Sequence, residues 1–177
     1  MPTDADRIDL GEDELRAITG YAADCARRVL PIFEEGLPAD TRPRDAVDAA
    51  RTFAEGGPRT NSLRQSAWAA YKAAGGAESP GGADAARAAS HAAAAAFLHP
   101  RASAHQVKHV LGAAAHAVRA EELAATDGRP GAAETLDRAC RHAPPAVTAV
   151  LRRLPGAPSG GGRVGELIRA LDDVLRG

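Results

Sequence analysis

Three histidines fall on one helical face in the stretch HQVKHVLGAAAHA. At 100° per residue, His105, His109 and His116 lie within roughly 40° of one another, and Gly112 lies in the same stripe. Val107, Val110, Leu111, Ala114 and Val118 take the opposite face. The stripe is therefore expected to turn away from the main core, toward water, a second helix layer or a groove. A preceding Ala-rich stretch carries His91, with Asp84 and Arg87 seven and four residues before it. If the two stretches are antiparallel neighbours, His91 approaches His105 and His109, and Asp84 is placed to orient one imidazole.

These residue types admit several chemistries. A metal site needs the pair His105 and His109 plus a ligand from another helix, which His91 or His116 can supply. The pair lacks the Glu of H-E-x-x-H, so no metal and no cofactor is expected. General acid–base catalysis needs one imidazole of near-neutral pKa in a pocket, with His91, His105 and His109 as its candidates. Binding of a ligand or partner needs only a polar groove with a small floor, which Gly112 and Ala113 would form. The candidate binding set is then His91, His105, His109, Gly112, His116, Asp84 and Arg87. A plain solvated or hydrogen-bonding helix face accounts for the same pattern.

Other chemical signals are missing. No G-x-x-x-x-G-K-[ST], no G-x-G-x-x-G after a strand and no G-x-S-x-G occurs. Cys25 and Cys140 form no C-x-x-C pair and read as reduced thiols, Cys25 on an apolar stripe. Trp68 and Tyr71 are expected as core anchors.

The elements that must position these residues are all helical. Leu15, Ile18, Ala22, Cys25 and Val29 repeat at helical spacing from Glu12 to Leu30, where Pro31 is expected to end or kink the helix. A second helix starts at Thr41-Arg42-Pro43 and stops at Gly56-Gly57-Pro58. A third runs to Ala74 with Asn61 as its expected N-cap. After the turn 75–82, a fourth runs from Ala83 to Leu98 and a fifth from Ser103 to Ala125. A sixth spans Ala132 to His142, and a seventh opens at Pro144-Pro145 and closes near Leu154. A flexible Gly/Pro/Ser linker over 155–163 is expected to lead to an amphipathic helix at 164–176, with Val164, Leu167, Ile168, Leu171, Val174 and Leu175 in one stripe. The expectation is a single all-α domain over 1–177. It is a bundle of seven to eight helices with a helical core at 12–154, the last helix docking on the chain itself or on a second subunit.

Composition narrows the function class. The chain has 177 residues, enough to bury roughly 70% of its unfolded surface without staples. Ala makes up about a quarter of it and aromatics 3%, which disfavours sheet. The net charge of -1 lacks the basic excess of a nucleic-acid binder or a polybasic membrane module. The acidic start MPTDADRIDLGEDE has no apolar core of a secretory signal, so a cytoplasmic protein is expected. Arg outnumbers Lys twenty to two, a sign of GC-rich bacterial coding.

RPRDAVDAARTFAEG (42–56), AARAASHAAAAA (85–96) and HQVKHVLGAAAHA (105–117) together resemble the actinobacterial putative immunity protein family. Arg42, Pro43, Arg44, Ala46, His91, His105, His109 and Gly112 match its pattern. Ser90, Val110 and His116 depart from it, where the family carries Gly, Ala and Tyr, and residues are inserted around His99-Pro100-Arg101. Some members carry an exonuclease label, for which no nucleotide-binding motif is present here. The resemblance implies a small helical protein, monomer or homodimer, that neutralises or sequesters a toxic protein or small metabolite through its His-lined face. The rival expectation is a small helical enzyme of specialised metabolism, with one of these histidines as its acid–base group.

Overall fold

The computed structural model describes residues 6–177. Among them are eight α-helices and no strand: α1 (Glu12–Glu34), α2 (Arg42–Ala54), α3 (Asn61–Ala74), α4 (Pro80–Ala94), α5 (Val107–Ala124), α6 (Gly131–Arg141), α7 (Pro145–Arg153) and α8 (Gly162–Arg176). The centre is α4 against α5, with α1 packed across both. The pair α2 and α3 covers α4 on one side, while α6 and α8 cover α5 on the other. Residues before α1 run along the α4–α5 connection, where Ile8 N–H donates to Pro100 O and Ala102 N–H to Asp6 O.

Small residues set this arrangement. Nine of the residues along α4 are buried, and all but Asp84 are Gly or Ala, so neighbouring backbones come close. A Cβ on Gly81 would lie 3.1 Å from Ala120 O, and one on Gly82 would lie 3.4 Å from Ile32 O. That contact explains why α4 begins at Pro80 rather than at Ala83. Pro80 suits the first turn, Ser79 Oγ accepts from Gly82 N–H at 3.0 Å, and the two glycines let α4 slide against α1 and α5.

Three expectations are corrected. Pro31 does not end α1, which continues to Glu34 with Pro31 exposed and Ile32 and Phe33 buried in the core. Burial of those two side chains outweighs the hydrogen bond that Pro31 cannot donate. The third helix is capped by Thr60, not Asn61: Thr60 Oγ1 accepts from Leu63 N–H at 3.2 Å. Trp68 and Tyr71 are not core anchors; they are 59% and 56% exposed.

The last helix buries Leu167, Ile168, Leu171 and Leu175 against α5 and α7 and leaves Val174 exposed. The turn before it is tied down. Asp172 is buried and accepts from Ala157 N–H at 2.9 Å and Arg176 Nε at 2.7 Å. Arg169 reaches the carbonyls of Pro158 and Gly160. Gly160, Gly161 and Gly162 all have positive φ, from 59° to 86°, so this run is a left-handed turn that side chains would strain.

Candidate functional site

Antiparallel packing of α4 on α5 follows from the pairs in contact: Gly81 with Ala120, Asp84 with His116, His91 with Gly112. This register assembles most of the His set. His116 Nδ1 lies 2.7 Å from Asp84 Oδ1, and the His91 ring stacks on the His116 ring with centroids 5.0 Å apart. Asp84 and His116 are nearly enclosed, with side chains 9% and 12% exposed. Arg87 Nη1 stands 3.8 Å from Asp84 Oδ2 at the solvent edge. Gly112 is the floor beneath His91. His109 is partly buried beside the group. His105 is not part of it: it is exposed in a 3-10 turn at Ala104–Gln106, where the backbone has not yet entered α5. The stripe thus faces a second helix layer. Among the described residues no three His, Cys, Asp or Glu side chains are placed to share a metal ion, so His91, His105 and His109 do not converge on one point.

The electrostatics favour neutral imidazole at His91 and His109. Burial lowers the His91 pKa to about 3, with His116, His109 and Lys108 adding repulsion. Burial and Lys108 also lower that of His109. A histidine whose folded pKa lies below its unfolded value takes up more protons when unfolded. His91 therefore leaves stability intact above about pH 6.5 and erodes it as pH falls toward 3, by at most about 1.4 kcal/mol per pH unit. Urea unfolding from pH 7 to pH 4 should show this slope, and His91→Phe should reduce it; an unchanged slope would assign the acid lability elsewhere.

Gly112 is fixed by the same contact. A Cβ there would lie 2.5 Å from His91 Nδ1, so Gly112→Ala must push the imidazole off its stack. The helix gains about 1 kcal/mol from the propensity change, while overpacking costs about 1–3 kcal/mol. Gly112→Ala is therefore expected to destabilise the wild-type chain and to stabilise the His91→Ala chain. Denaturation midpoints of the four proteins measure the sign reversal, and its absence would show that His91 is free to move.

The geometry holds α4 on α5 through a stacked imidazole pair with one carboxylate. A second feature is the exposed face of α3. Trp68 and Tyr71 stack with centroids 5.4 Å apart at 17°, and Lys72 Nζ sits 5.5 Å from the Trp68 ring. A shallow cleft of about 430 Å³ runs beside them, lined by Arg42, Asn61, Arg64, Gln65, Trp68 and Lys72. The angular arithmetic carried this signal. Leu63, Ala67, Ala70 and Ala74 centre the buried stripe, and Trp68 lies about 130° round the helix from that centre.

A family model described as "Imm-5 like putative immunity protein" matches residues 9–145. No curated protein and no solved structure matches the chain.

Proposed function

The chain belongs to the Imm-5 like putative immunity protein family, and from that premise we propose that it neutralises a toxic protein by binding it, with Trp68 and Tyr71 as the anchors of the interface. The exposure of its one Trp and one of its two Tyr, stacked on the outer face of α3, carries this reading. Large apolar rings cost free energy in water, and Trp, Tyr and Arg dominate the energetics of protein interfaces. The surrounding cations Arg64 and Lys72 have no carboxylate partner among the described residues, whereas Arg42 is held by Asp40. The patch therefore suits an acidic surface on the partner. In this reading Asp84, His91, Gly112 and His116 hold α4 and α5 in register beneath the interface. His109 and Arg87, on the open edge of the same helices, and His105, in the turn before α5, make further polar contacts.

The test is growth rescue. Each polymorphic toxin of the native host is expressed with and without this chain. One toxin should be neutralised by the wild type and not by a folded Trp68→Ala/Tyr71→Ala variant, while His109→Ala should weaken rescue only in part. Failure to neutralise any of them would sink the immunity reading. Equal rescue by the double variant would move the interface off α3.

A further inference from the structure

Two adjoining hollows on the far side of the bundle share Asp24 and Arg28 of α1. The first encloses about 210 Å³ between α1, α5 and α6. Its wall is apolar, made by Tyr21, Cys25, Ala114, Ala117 and Ala139, and Thr135, Arg138 and His142 stand at its mouth. The Tyr21 hydroxyl is already used, donating to Ala139 O at 2.9 Å, so the wall offers its ring. The second hollow, about 360 Å³, is lined by Asp24 and by Arg27, Arg28 and Arg51.

The charge at the shared mouth is unbalanced. Arg51 donates to Asp24 and stands 3.7 Å from Glu55, and its Nε is buried with no hydrogen-bond partner. Arg138 is 3.5 Å from Glu134. Arg27 and Arg28 are exposed and have neither an ion pair nor a hydrogen bond among the described residues. Four guanidinium groups thus face three carboxylates, with two of the four unpartnered beside an apolar recess.

We propose that this cleft binds a small amphipathic anion: an aromatic or short aliphatic body against the Tyr21 and alanine wall, and a carboxylate or phosphate group on Arg28 with its neighbouring arginines. A planar guanidinium suits both groups, because it presents paired donors to two oxygens. Burial pushes the Cys25 thiol up to about 12, so the wall presents no thiolate at neutral pH and the site holds its ligand without attacking it. The inference is independent of the α3 interface.

Amide NMR titration of the full chain tests it, with phenyl phosphate and benzoate as probes and benzyl alcohol and inorganic phosphate as controls. Saturable shifts are expected at Cys25, Arg28, Thr135 and Arg138. At least one of the two amphipathic anions should bind ten times more tightly than either control, and the tighter of the two identifies phosphate or carboxylate as the group preferred. Arg28→Glu should weaken that anion at least tenfold and leave benzyl alcohol unchanged, and Thr135→Phe should block the recess to both. Shifts scattered over the surface, equal affinity for benzyl alcohol, or indifference to both substitutions in folded protein would overturn the site. Inorganic phosphate binding as tightly as phenyl phosphate would remove the apolar half of the proposal.

Discussion

Trp68→Ala is expected to lower affinity for the neutralised partner by roughly 30- to 700-fold while leaving the free protein folded. The range converts about 2–4 kcal/mol, the effect of losing an aromatic hot spot, at 1.4 kcal/mol per factor of ten. The fold should tolerate the change because the indole is 59% exposed and its main neighbours are Tyr71 and Lys72 on the same helix. Losing that stack costs the free protein no more than about 0.5–1.5 kcal/mol. Tyr71→Ala should act in the same direction, and the two losses should not add, since the rings touch. Arg64→Glu and Lys72→Glu should mainly slow association and reduce its dependence on salt, as expected of charges at an interface rim. Titration calorimetry gives the affinities and stopped-flow mixing the rates. A Trp68→Ala complex within threefold of wild type would place the anchor elsewhere.

Arg129→Ala should be the most damaging single change to stability among the surface arginines. Glu121 is only 2% exposed on α5, and Arg129, in the turn before α6, covers it with two parallel bonds of 3.0 and 2.8 Å. Removing the guanidinium leaves a buried carboxylate without a counter-charge, which costs about 3–5 kcal/mol. Typical domains have about 5–15 kcal/mol in all, so a large part of the stability would go. The pair itself is less valuable than its rupture suggests. Replacing both partners, Glu121→Met with Arg129→Leu, is expected to be neutral or stabilising, because neither charge then needs desolvation. Exposed pairs such as Arg141 with Asp137, both about 60% exposed, should change stability by less than about 1 kcal/mol when broken. Urea midpoints compare the three variants. A loss below 1 kcal/mol for Arg129→Ala would mean that water reaches Glu121.

The helical class, the number of helices and most of their limits were legible in the sequence. They rest on local physics: Ala propensity, three- and four-residue apolar spacing, and Pro and Gly punctuation. The neighbours of His91 were not legible: antiparallel α4 and α5 suggested His105 and His109, whereas the register sets His91 against His116 and Gly112, and His116 against Asp84. Local rules misled at Pro31, where burial of Ile32 and Phe33 carries the helix through, and at Trp68, where residue type outweighed angular position.

The sequence by itself thus determined what each segment is and which of its faces is apolar. Only the tertiary structure decided what those faces meet. It chose the register of α4 on α5 at Gly81 and of α4 on α1 at Gly82 through close approach to backbone, set His116 of the stripe on Asp84, left His105 outside and exposed Trp68 and Tyr71. The physical reason is that a helical period fixes direction around one axis. The distance and register between two axes depend on summed packing over many small residues far apart in the chain.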